Sequence, residues 1–542
     1  MTISSEQSVY REQQRNGQSA GELPSVEYSL IRAHVYASLA TVLISASFGI
    51  LVASKFNFPE FLGGHAWLTW GRLRYNHTQG IFFAWLGNAF LAFFYYAVPR
   101  LSNRPVLSRK LGWFLFCIWN FAVVLPGWVL VAAGFSQPLE WAEFPLVVDA
   151  FVVLAFILMV FEFVLPFLRA RASDLYVSAW YIIGGIIFTM LAYPVGNFVP
   201  ELVPGARGAA FSGLWIHDAV GLYVTPFAVA IAYYVIPATT RRPIYSHFLS
   251  MVGFWVLFFT YPLNGTHHYV YSAIPMAAQK GAIVASVYLG MAVILVVTNQ
   301  LLSLRGNSGT ASKDVPLRFV WIGVVSYLVV SLQGSVQALM PVNRFIHFTD
   351  WVIGHSHLAM IGFASFVALG GIAHLWQRIP GTRYNERLMN WSFWLLAVGL
   401  TLMITAVVAL LMFRSRWGLQ VRAVVTNRVM SSAVGIDTRR IDRLTFGLGC
   451  GIAGVAGSAF TMIGSTSPSA GQLYIVDTFL VVVFGGAQSL LGTIASALTI
   501  SQSQSTLEFF MSGSNAKVLT LLIVIGMLML RPQGLFVIKV RK

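Results

Sequence analysis

The sequence predicts an all-α polytopic membrane bundle of about eleven spans, extended by about three more toward the C-terminus. Three observations carry this. Hydrophobic residues make up 57% of the 542 positions and charged residues only 10%, a balance that suits lipid better than water. Apolar stretches of about 20 residues recur along the chain, each long enough to cross the hydrocarbon core as a helix. Lys and Arg are spread over the short connections with a bias to one side, as the positive-inside rule describes.

The first eleven spans are expected at 31–54, 77–98, 111–134, 145–168, 176–194, 211–236, 247–265, 280–304, 317–340, 350–376 and 391–412, with three more at 444–464, 475–498 and 516–531. Residues 1–27 are polar and lack an apolar run before a small-residue cleavage site, so the first span reads as an uncleaved anchor. With a cytoplasmic N-terminus, the loops on that side of the first eleven spans hold fourteen Lys and Arg, Arg100, Arg241, Arg242 and Arg378 among them. The opposite loops hold six: Lys55, Arg72, Arg74, Arg207, Lys280 and Arg344. The ratio assigns a cytoplasmic N-terminus. The net charge of +16 is thus dispersed over loops and forms no tract, which argues against nucleic acid as a partner and for membrane lipid. Cys117 and Cys450 both lie in apolar segments and offer neither a disulfide framework nor a thiolate metal site.

Six histidines fall near span ends, and counting spans places them all on one membrane face. His77 opens the second span, His217 lies about a turn into the sixth, His267 and His268 close the seventh, and His355 and His357 are early in the tenth. Ionisable side chains within a bilayer are costly and tend to face functional interiors. In G-H-S-H the two histidines point about 200° apart on a helix, so His355 and His357 serve sites on opposite faces. His217 and the His267–His268 pair, from antiparallel neighbours, can converge on one small cation. Neutral imidazole suits copper or iron, and with no acidic or thiolate co-ligand evident, calcium and iron–sulfur chemistry are disfavoured there. Tyr261 precedes His267 by six residues and would lie about 9 Å deeper on a regular helix, where a phenol can give a redox centre a proton and an electron. His34, His65, His247, His347 and His374 sit at span ends or in loops and are assigned no metal.

The segments RYNHTQG, HDAVGLYVTPFAVAIAYYVIP, RPIYS, YPLNGTHH and VNRFIHFTDWVIGHSHL resemble subunit I of the haem-copper oxidases, most closely the C-type or cbb(3)-type branch, over about residues 30–405. The resemblance implies the subunit I fold and cytochrome c oxidase activity, the reduction of O2 to water coupled to proton uptake and translocation. It implies two haems b and one copper ion: His77 and His357 on a low-spin haem, His355 on a high-spin haem, and His217, His267 and His268 on copper. Tyr261 takes the place of the branch's active-site tyrosine, which is cross-linked to the copper ligand matching His217. In A-type relatives that tyrosine follows the first copper histidine by four residues, where this chain has Gly221. Arg74 matches an arginine that pairs with a haem propionate. Glu140 and Glu143, in EWAEFP, resemble an acidic element associated with calcium and a partner subunit. Tyr245 and Ser246 sit where the branch takes up protons, although a serine at that point also serves as a helix cap. With no CXXCH sequence and no paired-cysteine copper site in the chain, electrons would come from c-type cytochrome subunits and soluble cytochrome c. Gln333, in SLQGS, departs from the glutamate usual in C-type members; its amide can hydrogen-bond but cannot titrate. The alternative, nitric oxide reductase, uses the same six histidines with glutamates around a non-haem iron. The sixth, seventh and ninth spans contain no glutamate, which favours the oxidase.

From about residue 408, the segments FRSRWGLQVRAVVTNRVMSSAVGIDT, IAGVAGSAF, VVVFGGAQSLLGT and LRPQGLF resemble the C-terminal end of urea and branched-chain amino acid ABC permeases. The resemblance implies a cytoplasmic loop, around Arg422 and Gly435, that couples to an ABC ATPase. The expected organisation is therefore a polar N-terminus (1–27), an oxidase-like domain (28–405) and a permease-like fragment (406–542), too short to transport alone. One conflict follows. The eleventh span should end outside, yet it runs into Arg414, Arg416, Arg422 and Arg428, which the positive-inside rule keeps in the cytoplasm. A chimera joined near residue 405 accounts for this, and a non-functional fusion is its corollary.

Overall fold

The computed structural model describes residues 26–168, 174–306, 310, 313–460 and 470–485 and scattered stretches of 492–530. The N-terminal tract through residue 25, part of VVVFGGAQSLLGT and LRPQGLF beyond Leu530 lie outside the described residues. The chain forms two compact units, Met1–Val455 and Ala456–Lys542.

Among the described residues, ten helices of the first unit are long and apolar enough to cross a membrane: α1 Tyr28–Asn57, α2 Trp70–Ser102, α3 Arg109–Ala133, α4 Leu146–Phe167, α5 Val177–Leu202, α6 Ala206–Thr240, α7 His247–Tyr269, α8 Met276–Ser303, α9 Val315–Ala338 and α10 Trp351–Trp376. They coincide with the expected spans, but α2 and α6 begin earlier, so His77 lies about two turns and His217 about three turns inside. Arg72, Arg74 and Arg207 account for the difference. They lower the hydropathy of turns that remain helical, because long basic side chains can reach the interface from inside a span.

Enclosure separates the helices that hold the site from those that face lipid. The apolar stretches of α2, α6 and α10 are 94%, 89% and 83% buried, against 22% for α1. These three carry His77, His217, His355 and His357. Each also opens into a π-helical segment just after its histidine: Gly80–Gly87, Ala219–Val224 and Leu358–Ser365. The i→i+5 bonding of such segments shifts the side-chain phase relative to a regular helix and recurs at functional sites.

An eleventh helix, α11 (Glu386–Arg414), packs Phe393 and Leu400 against Phe319 of α9 and Phe366 of α10. It leads into α12 (Arg416–Thr426), α13 (Arg428–Ala433) and α14 (Thr438–Phe460). Val421, Val424 and Ile441 form a small apolar cluster there, and the Arg422 guanidinium lies over the Phe413 ring. Gly435 adopts φ +85° as the N–H of Ile436 donates to Ser431 O at 3.0 Å, a left-handed helix stop that favours glycine. The Arg440 guanidinium lies 5.2 Å from the Phe345 ring, in the short helix Met340–Ile346 between α9 and α10. This basic segment therefore lies at the histidine end of the bundle, opposite to the end expected for a coupling loop. Span alternation, a consequence of chain connectivity, prevails over loop charge. In the second unit, α15 (Ala470–Gly485) and α16 (Gly513–Leu530) contribute to a cluster of Phe484, Ile500 and Val524.

Candidate active site

His217, His267 and His268 come together with one ring nitrogen of each within 4.8 Å of the others, the one such group of His, Cys, Asp or Glu among the described residues. The approach depends on glycine. A Cβ on Gly265 would overlap the Leu214 backbone, so the 3₁₀ turn Gly265–Tyr269 that ends α7 lies directly against α6. The Ser286 hydroxyl donates to Ala282 O at 2.7 Å and so accepts from His267 Nδ1 at 2.6 Å. That fixes the tautomer and leaves the His267 Nε2 lone pair free for a metal. His217 Nδ1 and His268 Nε2 face each other at 3.4 Å.

Tyr261 stands beside this trio, its ring centroid 5.2 Å from that of His217. A Cβ on Gly221 would overlap the Tyr261 ring, so the phenol of α7 fills the space that a side chain at position 221 of α6 would take. Thr225 and Tyr327 flank its hydroxyl.

His77 and His357 form a second pair, with ring centroids 6.1 Å apart and planes 21° from parallel. Their Nδ1 groups donate to the carbonyls of Ser45 and Ile353, each at 2.8 Å, which leaves both Nε2 atoms as ligands. These two rings would hold one haem iron between them. Gly49 makes room, since a Cβ there would come within 2.7 Å of His77 Cε1. His355, on the other face of α10, donates from Nδ1 to Gln333 Oε1 at 2.9 Å and lies within electrostatic reach of the trio. Among the described residues, His77, His267, His268, His355 and His357 each keep one ring nitrogen without a protein hydrogen bond, while His217 faces His268 from Nδ1 and Asn264 from Nε2, both at 3.4 Å; this nitrogen donor set fits haem iron and copper.

The remaining expected residues divide. Arg74 is ion-paired with Glu143, whereas Glu140 is exposed and within electrostatic range of Glu143. Burial pushes the Glu143 carboxyl up to about 7, against the opposing pull of Arg74. A carboxyl whose folded pKa is raised binds more protons folded than unfolded, so stability falls as pH rises from about 4.5 to about 7. Glu143→Gln is expected to flatten that decline in thermal unfolding between pH 5 and pH 8; an unchanged slope would refute the assignment.

Ser246 caps α7, its hydroxyl accepting from Leu249 N–H at 3.2 Å, and the Tyr245 side chain is exposed. What the sequence did not reveal is the polar file above them. Asn299 on α8 accepts from Ser246 N–H at 2.9 Å and donates to Tyr233 Oη at 3.3 Å. Tyr233 stacks on Tyr181 at 5.8 Å, and both lie within electrostatic range of Tyr327 beside Tyr261. A second omission is Asp218, next to His217, which is 2% exposed with Oδ1 unpartnered. An acidic neighbour does exist, but its oxygens fall outside the metal-ligand group.

Residues 29–436 match the family of cytochrome c and quinol oxidase polypeptide I, a stretch that continues past residue 405. The chain is 31% identical over 382 residues to the cytochrome c oxidase subunit 1 homolog of Agrobacterium tumefaciens (strain T37), covering 67% of this chain and 70% of that protein. It is 28% identical to the Cbb3-type cytochrome c oxidase subunit CcoN1 of Stutzerimonas stutzeri, covering 70% and 82%. It shares the fold of a haem-copper terminal oxidase dimer solved by cryo-EM, with a TM-score of 0.53 at 12% identity over 64% of this chain and 69% of that one. A separate similarity, 22% over 285 residues, links 47% of this chain to 90% of the probable branched-chain amino acid transport permease protein LivH of Methanocaldococcus jannaschii. The chain therefore belongs to the family of cytochrome c and quinol oxidase polypeptide I, the catalytic subunit of haem-copper terminal oxidases.

Proposed function

We propose that this chain is the oxygen-reducing subunit of a C-type oxidase of a bacterial-type inner membrane, with its N-terminus in the cytoplasm and c-type cytochromes as electron donors. The gathering of His217, His267 and His268 beside Tyr261 carries the reading. His77 and His357 would hold a low-spin haem b, His355 a high-spin haem b, and the trio a copper ion. When bound, these groups supply electron delivery and O2 binding. The chain supplies the rest: Tyr261 holds a proton and an electron at its phenol, and Thr225 and Tyr327 position that hydroxyl. Ser246, Asn299, Tyr233 and Tyr181 mark the route by which protons would reach it from the opposite end. Arg74, which is ion-paired with Glu143, would meet a haem propionate. No carboxylate joins the trio among the described residues, which favours oxygen over nitric oxide as substrate.

The LivH similarity supports reading the C-terminal part as a fused permease fragment. It covers more of the chain than residues 406–542 provide, so it fixes no junction at 405, and an ABC ATPase would be a partner of that fragment alone.

The purified protein is expected to give two haems b by pyridine haemochrome and one copper by metal analysis. His267→Ala should lose copper and oxygen consumption while retaining both haems. Wild-type protein without haem would overturn the proposal, and non-haem iron in place of copper would return it to the nitric oxide reductase reading.

A further inference from the structure

At the end of the bundle opposite the active site, Arg100 and Arg378 both act on His374, Arg32 reaches the carbonyl of Pro380 two residues beyond Arg378, and none of the three forms an ion pair among the described residues. Arg100 closes α2 with its guanidinium carbon 3.7 Å over the Tyr96 ring, one nitrogen donating to Tyr96 O at 3.0 Å. Arg378, just past α10, donates to His374 O at 2.7 Å. Arg32 of α1 reaches the carbonyl of Pro380, and its Nε is buried without a partner. His374 is 2% exposed; its Nδ1 lies 3.4 Å from Thr239 Oγ1 and its Nε2 has no partner. The charged groups acting on Tyr96, Tyr234 and His374 are Arg100 and Arg378, with no carboxylate among them; Asp314 and Glu386 act with Arg378 on Tyr384 instead. None of the three arginines enters an ion pair among the described residues.

Each guanidinium thus spends one nitrogen on a backbone carbonyl and keeps the rest of its fork, a donor geometry suited to phosphate oxygens. Like charges gathered around His374 repel until an anion binds. The membrane supplies one: basic pockets between spans on this side bind phospholipid headgroups. At the rim Tyr36, 60% exposed, meets Trp376 edge-on at 5.6 Å, an aromatic wall at the height where such rings line membrane interfaces.

We propose that Arg100, Arg378, Arg32 and His374 hold the phosphate of one anionic phospholipid. The test is native mass spectrometry of the full-length purified protein titrated with phosphatidylglycerol, phosphatidylcholine or inorganic phosphate. The wild type should retain one phosphatidylglycerol per chain and bind phosphatidylcholine at least about tenfold more weakly. Arg100→Ala with Arg378→Ala should weaken phosphatidylglycerol about thirtyfold, the effect of removing two charges near a membrane surface. The milder Arg100→Lys with His374→Gln should give an intermediate loss and provides the comparison if the double alanine variant does not fold. Binding unchanged in variants whose elution and thermal unfolding match the wild type would overturn the proposal. Displacement of the lipid by millimolar inorganic phosphate would overturn the lipid assignment in favour of a free anion.

Discussion

Tyr261→Phe is expected to lower oxygen consumption about a thousandfold, the scale of a lost proton donor at a reacting centre, with both haems and copper still in place. The substitution removes one oxygen atom and keeps the ring. The space beside Gly221 that the ring fills stays filled, and the histidine trio has no steric reason to move. Loss of turnover would therefore report the hydroxyl itself. Gly221→Ala tests the same phenol from the other side: its new methyl must displace the Tyr261 ring, and turnover should fall although every polar group is retained. Oxygen-electrode assays paired with haemochrome and copper analysis distinguish these outcomes from simple loss of the site. In the wild type, peptides containing His217 and Tyr261 should be recovered joined and two hydrogens lighter, and in Tyr261→Phe separately. Turnover of the phenylalanine variant within tenfold of wild type would remove Tyr261 from the chemistry.

The spans and six histidines were legible because both rest on local signals. Hydropathy locates a membrane helix without reference to its neighbours, and a 200° separation follows from H-x-H on any helix. The convergence of His217 with His267 and His268 followed from counting spans, the pairing of His77 with His357 came only from the family resemblance, and the structure brings both sets together. Less legible were features that depend on contacts between helices. Hydropathy does not reveal that Gly265 lets α7 lie against the Leu214 backbone, or that Gly221 yields its volume to Tyr261. The π-helical segments after His77, His217 and His357 have no composition signal of their own. Asn299, Tyr233 and Tyr181 looked like ordinary span residues until their helices were packed together. The side of the basic loop around Arg422 was left in conflict by the sequence for a different reason: loop charge is a statistical preference, whereas a helix that enters at one end must leave at the other.

Gln333 offers the second large effect. Its Oε1 accepts from His355 Nδ1 at 2.9 Å, so the nitrogen opposite the one that would meet haem iron is held by a neutral amide. An acceptor at that position orients the ring and sets how much electron density the imidazole gives the metal. A carboxylate draws the shared proton more strongly, makes the imidazole more basic and favours ferric over ferrous iron. An aliphatic side chain leaves the N–H unpaired and does the reverse. The midpoint potential of the high-spin haem should therefore rise in the order Gln333→Glu, wild type, Gln333→Leu. Outer-shell partners of ligating histidines shift metal equilibria by about 10- to 100-fold, which for one electron is ~59 mV for each factor of ten. The haem proposed for His77 and His357, residues that bond to the Ser45 and Ile353 carbonyls instead, should keep its potential in all three proteins. That internal standard separates tuning from general damage. A shift common to both haems, or a reversed order, would show that the His355–Gln333 hydrogen bond does not set the potential. Absence of a high-spin haem would count against the function itself.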